Sequence, residues 1–203
     1  FGFNKRILAY FACDLYDVYM TTRLDGPMTN FLPFNQGSNG AGQDGGAGNP
    51  ENKIGDYVTA YFWENVLQKD NLLDILQKFI SYEKTEKKET LPDGSTNIKK
   101  AEKIIFPRYH QLDVARKLVD HVRRNGSGHN YLIQHSAGSG KSNSIAWTAY
   151  RMASLHNDNN EPVFNSVIVV TDRRVLDQQL QATISSFDHT LGSVATIDDK
   201  KTS

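Results

Sequence analysis

The stretch that leaves the chain least freedom is Tyr131-Leu132-Ile133-Gln134-His135-Ser136-Ala137-Gly138-Ser139-Gly140-Lys141-Ser142. Its short apolar run predicts a strand, a glycine-containing turn follows, and helical spacing begins at Ser142. A strand led into a helix through such a turn makes a phosphate cradle. Gly138 and Gly140, on either side of Ser139, let successive backbone N–H groups point inward with no Cβ in the way. The first helical turn adds its own unpaired N–H groups and the positive end of its dipole. Lys141, the candidate catalytic residue, would reach the β- and γ-phosphates, and the Ser142 hydroxyl would take one position on Mg²⁺. The pattern G-x-x-x-x-G-K-[ST] is met except at its first position, where His135 stands. A chance Gly-Lys-Ser in an ordinary turn is the competing reading, and the flanking strand and helix count against it.

Composition narrows the remainder. The 203 residues suffice for one large domain or two small ones, and 38% hydrophobic content is adequate for a packed core. Lysine plus arginine (23) balances aspartate plus glutamate (23), which gives no support to a basic-tail nucleic-acid binder but leaves room for one local DNA groove. Cys13 is the single cysteine, so neither a disulfide framework nor a cysteine zinc site is available, and a reducing cytoplasm is the expected setting. No apolar run is long enough to span a bilayer. The chain opens at Phe1 on a strand-like segment, and the expectation is a piece of something longer.

Arg6 to Cys13 reads as one strand and Asp17 to Arg23 as a second, with Asp14-Leu15 near the turn between them. The Gly/Asn/Ser-rich segment 35–50 is expected to be a poorly ordered loop. It lacks a Gly-Lys-Ser/Thr and a flanking strand–helix pair, so it is no second phosphate loop. Between Asp56 and Tyr82, helical spacing occurs twice: through Tyr57, Tyr61, Val66 and Leu67, then through Leu72, Leu73, Leu76, Phe79 and Ile80. Asp70-Asn71 is the expected cap of the second helix. Phe62 and Trp63 are expected to pack in a core or between domains rather than stack on bases. From Glu83 to Lys103, charges alternate around Leu91-Pro92-Asp93-Gly94, a connector or an edge hairpin.

Beyond Ile104 the pattern changes. Gln111 to Arg124 predicts an amphipathic helix stopped by Gly126. The strand 131–134, the glycine loop and a helix from about Ser142 to His156 follow, with Ile145, Ala149, Met152 and Ala153 on one side. Residues 157–162 read as a loop. Ser166 to Thr171 is apolar without alternation, as in a parallel strand covered on both faces. Asp172 would cap a helix whose apolar positions are Val175, Leu176, Leu180 and Ile184. The fold class is α/β, with a βαβ series building an open parallel sheet and the nucleotide at the strand C-terminal ends.

Three segments carry a resemblance. Phe106-Pro107-Arg108-Tyr109-His110-Gln111 resembles the adenine-recognising Q motif of superfamily 2 helicases. A glutamine amide can both donate to and accept from the adenine edge, which suits Gln111 for the base. Arg108 either supports the base or pairs with a nearby acid. Val169-Val170-Thr171-Asp172-Arg173-Arg174 resembles motif Ia, in which Thr171 and the following helix N-terminus touch a DNA phosphate and Arg173 adds charge. A capped helix with solvated arginines is the plainer reading of that segment. With the loop, with Phe31-Leu32-Pro33-Phe34-Asn35 and Gly46-Ala47-Gly48-Asn49-Pro50, and with Tyr61-Phe62-Trp63-Glu64, the chain resembles the R (restriction and motor) subunit of type I restriction-modification enzymes.

The resemblance implies the C-terminal part of a restriction-endonuclease-like α+β domain over 1–84, a connector over 85–103, and over 104–203 the start of a RecA-like motor domain. It implies ATP and Mg²⁺ as cofactors, and double-stranded DNA with methylation and specificity subunits as partners. The implied activity is ATP-driven DNA translocation followed by remote cleavage. Residues 1–203 contain no convincing Asp…Glu-x-Lys nuclease set and no Asp-Glu-x-His box. Alone they are expected to bind ATP without turning it over. Two other readings stand beside this one: a different adenine-nucleotide P-loop enzyme, and a non-catalytic interaction module. A GTPase would carry Asn-Lys-x-Asp, which does not occur.

Overall fold

The computed structural model describes residues 6–51, 57–90, 96–171, 180–181 and 183–184. Two compact units divide the chain, Phe1–Tyr109 and His110–Ser203.

In the first unit the two predicted strands form a hairpin. β1 (Tyr10–Cys13) pairs antiparallel with β2 (Val18–Thr21), and β3 (Leu32–Pro33) pairs with the other side of β2. Pro33 is tolerated because β3 is an edge strand. Asp14 makes the β1–β2 turn: its Oδ1 accepts the N–H groups of Asp17 and Tyr16, both at 2.8 Å. These bonds, the one from Asp17 foremost, hold its carboxyl below the usual aspartate value. Beside the sheet, Phe11, Phe34, Phe62 and Phe106 form a cluster with neighbouring ring centroids 4.8 to 6.3 Å apart, extended by Tyr61 and Tyr109.

The glycine-rich segment departs from the expectation of poor order. Two asparagine amides do the work that a strand ladder would otherwise do. Asn35 Oδ1 accepts the Val18 N–H at 2.8 Å while its Nδ2 donates to Asp17 Oδ1 at 2.6 Å. Asn49 Oδ1 accepts the Gln36 N–H at 2.9 Å and its Nδ2 donates to the Tyr16 carbonyl at 2.9 Å. Between these anchors the strands of the loop touch through Gly37 N–H to Gly48 O at 2.7 Å and Ser38 N–H to Gly46 O at 3.0 Å. The result is a closed, hydrogen-bonded loop whose ends meet, built from residues whose composition alone suggests a free chain.

Of the two predicted helices, the first is a single π-helical turn, Phe62–Val66, and the second is α1 (Lys69–Lys78). The cap differs as well: Gln68 holds that position, and Asn71 instead donates its side-chain amide to the Asn65 carbonyl at 2.8 Å. Phe62 is buried, but Trp63 is 42% exposed and meets Tyr57 edge-on at 6.1 Å, so Trp63 is not a core residue. The wide i→i+5 π turn still points adjacent side chains in different directions, and of this pair only Phe62 faces the core. The charged segment is a long hairpin, β4 (Ser81–Thr90) with β5 (Thr96–Ile105). Its register sets Glu83 opposite Lys103, and opposite charges across a strand pair favour such a placement.

In the second unit α2 (Tyr109–Asn125) and α3 (Lys141–Ala153) supply the core. Leu118, Val119 and Val122 of α2 pack with Met152 and Leu155, and Val114, Val163 and Phe164 lie against them. Gly126, at φ +73°, ends α2 by donating its N–H to the Val122 carbonyl at 2.8 Å.

The expected parallel sheet is not formed among the described residues. Segments 131–134 and 166–171 join no strand ladder among the described residues, with Leu132 94% and Val170 86% exposed. An isolated apolar segment gains nothing from the β conformation until neighbouring strands satisfy its backbone and helices cover both faces. Here the described residues bring helices to the segments, and no partner strand. The same cause turns α3: Trp147, Ala146, Ser144 and Met152 are its buried residues, whereas Ile145 of the expected face is exposed. Asp172, Val175 and Leu176 of the following predicted helix lie outside the described residues; Leu180 is buried and Ile184 partly so.

Candidate nucleotide site

The glycine loop forms at the entrance to α3. Gly138 (φ +73°) and Gly140 (φ +82°) both take the left-handed conformation, closed to most side chains, and Gly140 is the residue that caps the helix. The loop closes on itself through Ser139 N–H to Ser136 O at 3.3 Å, and the helix starts with Asn143 N–H and Ser144 N–H on the Gly140 carbonyl at 3.1 and 3.3 Å. The N–H groups of Gly140, Lys141 and Ser142 have no acceptor among the described residues. Three adjacent donors at a helix N-terminus are what an anion needs.

Lys141 curls back over the loop. Its Nζ donates to the His135 carbonyl at 3.0 Å and to the Ser136 carbonyl at 3.4 Å. Exposed carbonyls are weak partners for an ammonium compared with a phosphate, so this cation is held close to the cradle and remains exchangeable. Two hydroxyls nearby are buried and carry no hydrogen bond: Ser139 Oγ in the loop and Ser144 Oγ on α3. Each carries an unmet cost of about 1–3 kcal/mol until something polar reaches it.

From α2, two consecutive side chains grip the loop from behind. Gln111, 3% exposed, donates its Nε2 to the Gly140 carbonyl at 2.9 Å and to the Ser139 carbonyl at 3.3 Å. His110 Nε2 lies 3.1 Å from the Ser139 carbonyl, and its ring stands edge-on to that of His135 with centroids 5.0 Å apart. The sequence reading assigned Gln111 to the base and gave His110 no role. Its position next to Gln111 at a helix start was the available signal.

A groove of about 350 Å³ lies against α3, lined among others by Ile133, His135, Lys141, Ser144, Met152 and Val167–Val170. The segment resembling motif Ia and the loop lysine therefore border one space. Thr171 is half-buried just past that segment, and Arg173 lies outside the described residues. Arg108 belongs to the first unit, where burial lowers the affinity of its guanidinium for the proton. The described residues contain no cluster of three or more metal-ligating side chains, so a Mg²⁺ here would depend on the Ser142 hydroxyl and on the phosphates themselves.

Residues 110–202 match the family model for the SWI2/SNF2 ATPase. The matched range begins at His110 and takes in Gln111, the glycine loop, Lys141 and the groove residues, but not Arg108. That match supports a helicase-like, ATP-using segment with the loop at its centre. No curated protein and no solved structure matches the chain. No helix among the described residues is long and apolar enough to cross a membrane.

Proposed function

We propose that the chain is part of the ATP-dependent motor and endonuclease subunit of a type I restriction-modification system, binding Mg-ATP at the glycine loop and pulling double-stranded DNA before remote cleavage. The observation that carries the motor half is the pair of left-handed glycines presenting the Gly140, Lys141 and Ser142 amides beside the Lys141 ammonium. The SWI2/SNF2 match over the same residues favours a helicase-like ATPase over a small-molecule kinase or a GTPase. The nuclease, the restriction complex and its methylation and specificity partners rest on the sequence resemblance alone.

In this reading the amides and Lys141 bind the β- and γ-phosphates, and the Ser142 hydroxyl takes a Mg²⁺ position. Gln111 braces the loop through the Ser139 and Gly140 carbonyls, and the assignment of Gln111 and Arg108 to adenine rests on the sequence resemblance alone, while Thr171 and Arg173 hold a DNA phosphate. Catalysis is then electrostatic: charge building on the transferred phosphoryl oxygens is met by fixed donors and one cation. The test uses the full-length protein in its assembled complex. Lys141→Ala should abolish DNA translocation, and with it cleavage far from the recognition site. Undiminished ATP-dependent cleavage by that variant would overturn the proposal. ATP should also outcompete GTP for a fluorescent ATP analogue, and equal competition would remove the adenine role.

A further inference from the structure

We infer that His110 is a positioning residue of the phosphate loop, acting with Gln111 to aim two of the loop's amide donors at the triphosphate. The inference rests on the nucleotide-site reading and adds to it a residue with no assigned role. The argument begins with peptide geometry. In a planar trans peptide the carbonyl and the following N–H point in opposite directions, and no peptide bond described here is cis. Whatever holds the Ser139 carbonyl therefore also orients the Gly140 N–H. Whatever holds the Gly140 carbonyl orients the Lys141 N–H.

The Ser139 carbonyl is held from α2, and the Gly140 carbonyl is held both from α2 and by the Asn143 and Ser144 N–H groups of α3 at 3.1 and 3.3 Å. The Ser139 carbonyl meets His110 Nε2 at 3.1 Å and Gln111 Nε2 at 3.3 Å, and the Gly140 carbonyl meets Gln111 Nε2 at 2.9 Å. A carbonyl oxygen can only accept, so His110 carries a proton on Nε2. With both oxygens turned toward α2, the Gly140 and Lys141 N–H groups are turned away from it, and they have no acceptor among the described residues. Glycine at 138 and 140 lets the backbone adopt this course, but the same freedom lets it leave. A loop with two left-handed glycines needs an outside support to keep its donors converged, and His110 and Gln111 are that support.

His110 has a second contact in the same direction. Its ring lies edge-on to His135, at 5.0 Å, and the His135 carbonyl is the one that holds Lys141 Nζ at 3.0 Å. One side chain thus steadies both the crest of the loop and the residue that carries the lysine's resting contact. His135 stands where the common pattern has glycine, and here that departure supplies a ring for His110 to pack on.

The experiment compares His110→Phe, which keeps a ring and removes the donor, with His110→Gln, which keeps an N–H donor, in the full-length protein. Lys141→Ala and the wild type serve as references. Binding of a fluorescent ATP analogue with Mg²⁺ is titrated, and ATPase activity is separated into KM and kcat. His110→Phe should weaken analogue binding about five- to tenfold, the loss expected of one aimed hydrogen bond. The KM for ATP should rise in step, with an unchanged melting temperature without nucleotide, and His110→Gln should recover most of the affinity. Wild-type affinity in His110→Phe, with Lys141→Ala defective, would overturn the inference and leave the nucleotide site standing. Equal losses in the Phe and Gln variants would also overturn it, since the donor would then be immaterial. A wild type that binds no analogue would overturn the nucleotide site and the inference together.

Discussion

At the scale of single residues, the left-handed Gly138 and the half-buried Tyr61 phenol each carry a local prediction. Gly138 sits at φ +73° with nothing within 4 Å of where a Cβ would be. Alanine there meets no neighbour, so its whole cost is conformational. Gly138→Ala should destabilise the second unit by about 1–2 kcal/mol, read as a lower urea midpoint. Binding of ATP should fall too, because the amides beyond it shift. Tyr61 donates its hydroxyl to the Phe34 carbonyl at 2.9 Å, and burial pushes its ionisation well above the ordinary tyrosine value. The folded state therefore holds this proton where the unfolded chain has begun to release it. The stabilisation is complete below the unfolded value near 10 and is lost as pH rises above it. Tyr61→Phe should cost about 1 kcal/mol at neutral pH. It should also flatten the alkaline limb of a stability–pH curve, and an unchanged limb would show that another group sets it.

At the scale of the element, the closed loop over 35–50 is the sharpest case. A Cβ on Gly45 would lie 2.7 Å from Ser38 Oγ and 3.2 Å from the Asn39 nitrogen. Ser38 Oγ is also the acceptor for the Gly46 N–H at 2.8 Å. Gly45→Ala should push that hydroxyl aside, break the bond and weaken the loop by about 0.5–1.5 kcal/mol. Faster amide exchange at Gly46 is the expected signature, and wild-type protection there would contradict it. The charged segment was legible only as a connector or an edge hairpin, and pairing of β4 with β5 decides for the hairpin. The helix α2 was legible from its apolar spacing and terminal glycine. The first predicted helix was not: Tyr57, Tyr61, Val66 and Leu67 have helical spacing, but the chain there makes one π turn around Phe62. Periodicity counts apolar positions and is blind to how an aromatic cluster pulls on them.

For the whole molecule, the decisive property is whether nucleotide and DNA are coupled. Val167–Val170 borders the same groove as Lys141, which gives a physical path from the loop to Thr171. Thr171→Ala in the full-length protein should reduce DNA-stimulated ATP hydrolysis and translocation while leaving analogue affinity within about twofold of wild type, a margin of some 0.4 kcal/mol. Unchanged translocation would remove Thr171 from the DNA contact. Duplex DNA should also stimulate the wild-type ATPase more than single strands do, and indifference to DNA would count against a motor altogether.

By itself the sequence determined the elements whose causes are local: the β1–β2 hairpin with its aspartate turn, the amphipathic α2, and a glycine loop leading into a helix with Lys141 at its start. Spacing and backbone freedom are written in neighbouring residues, so they can be read there. Only the tertiary structure decided which carbonyls His110 and Gln111 hold, and that Asn35 and Asn49 close a glycine-rich loop. It decided too that the apolar segments 131–134 and 166–171 join no strand ladder among the described residues. Those outcomes depend on partners 13 to 33 positions away in the chain, and on whether a strand finds a neighbour. A pattern confined to a short window cannot contain that information.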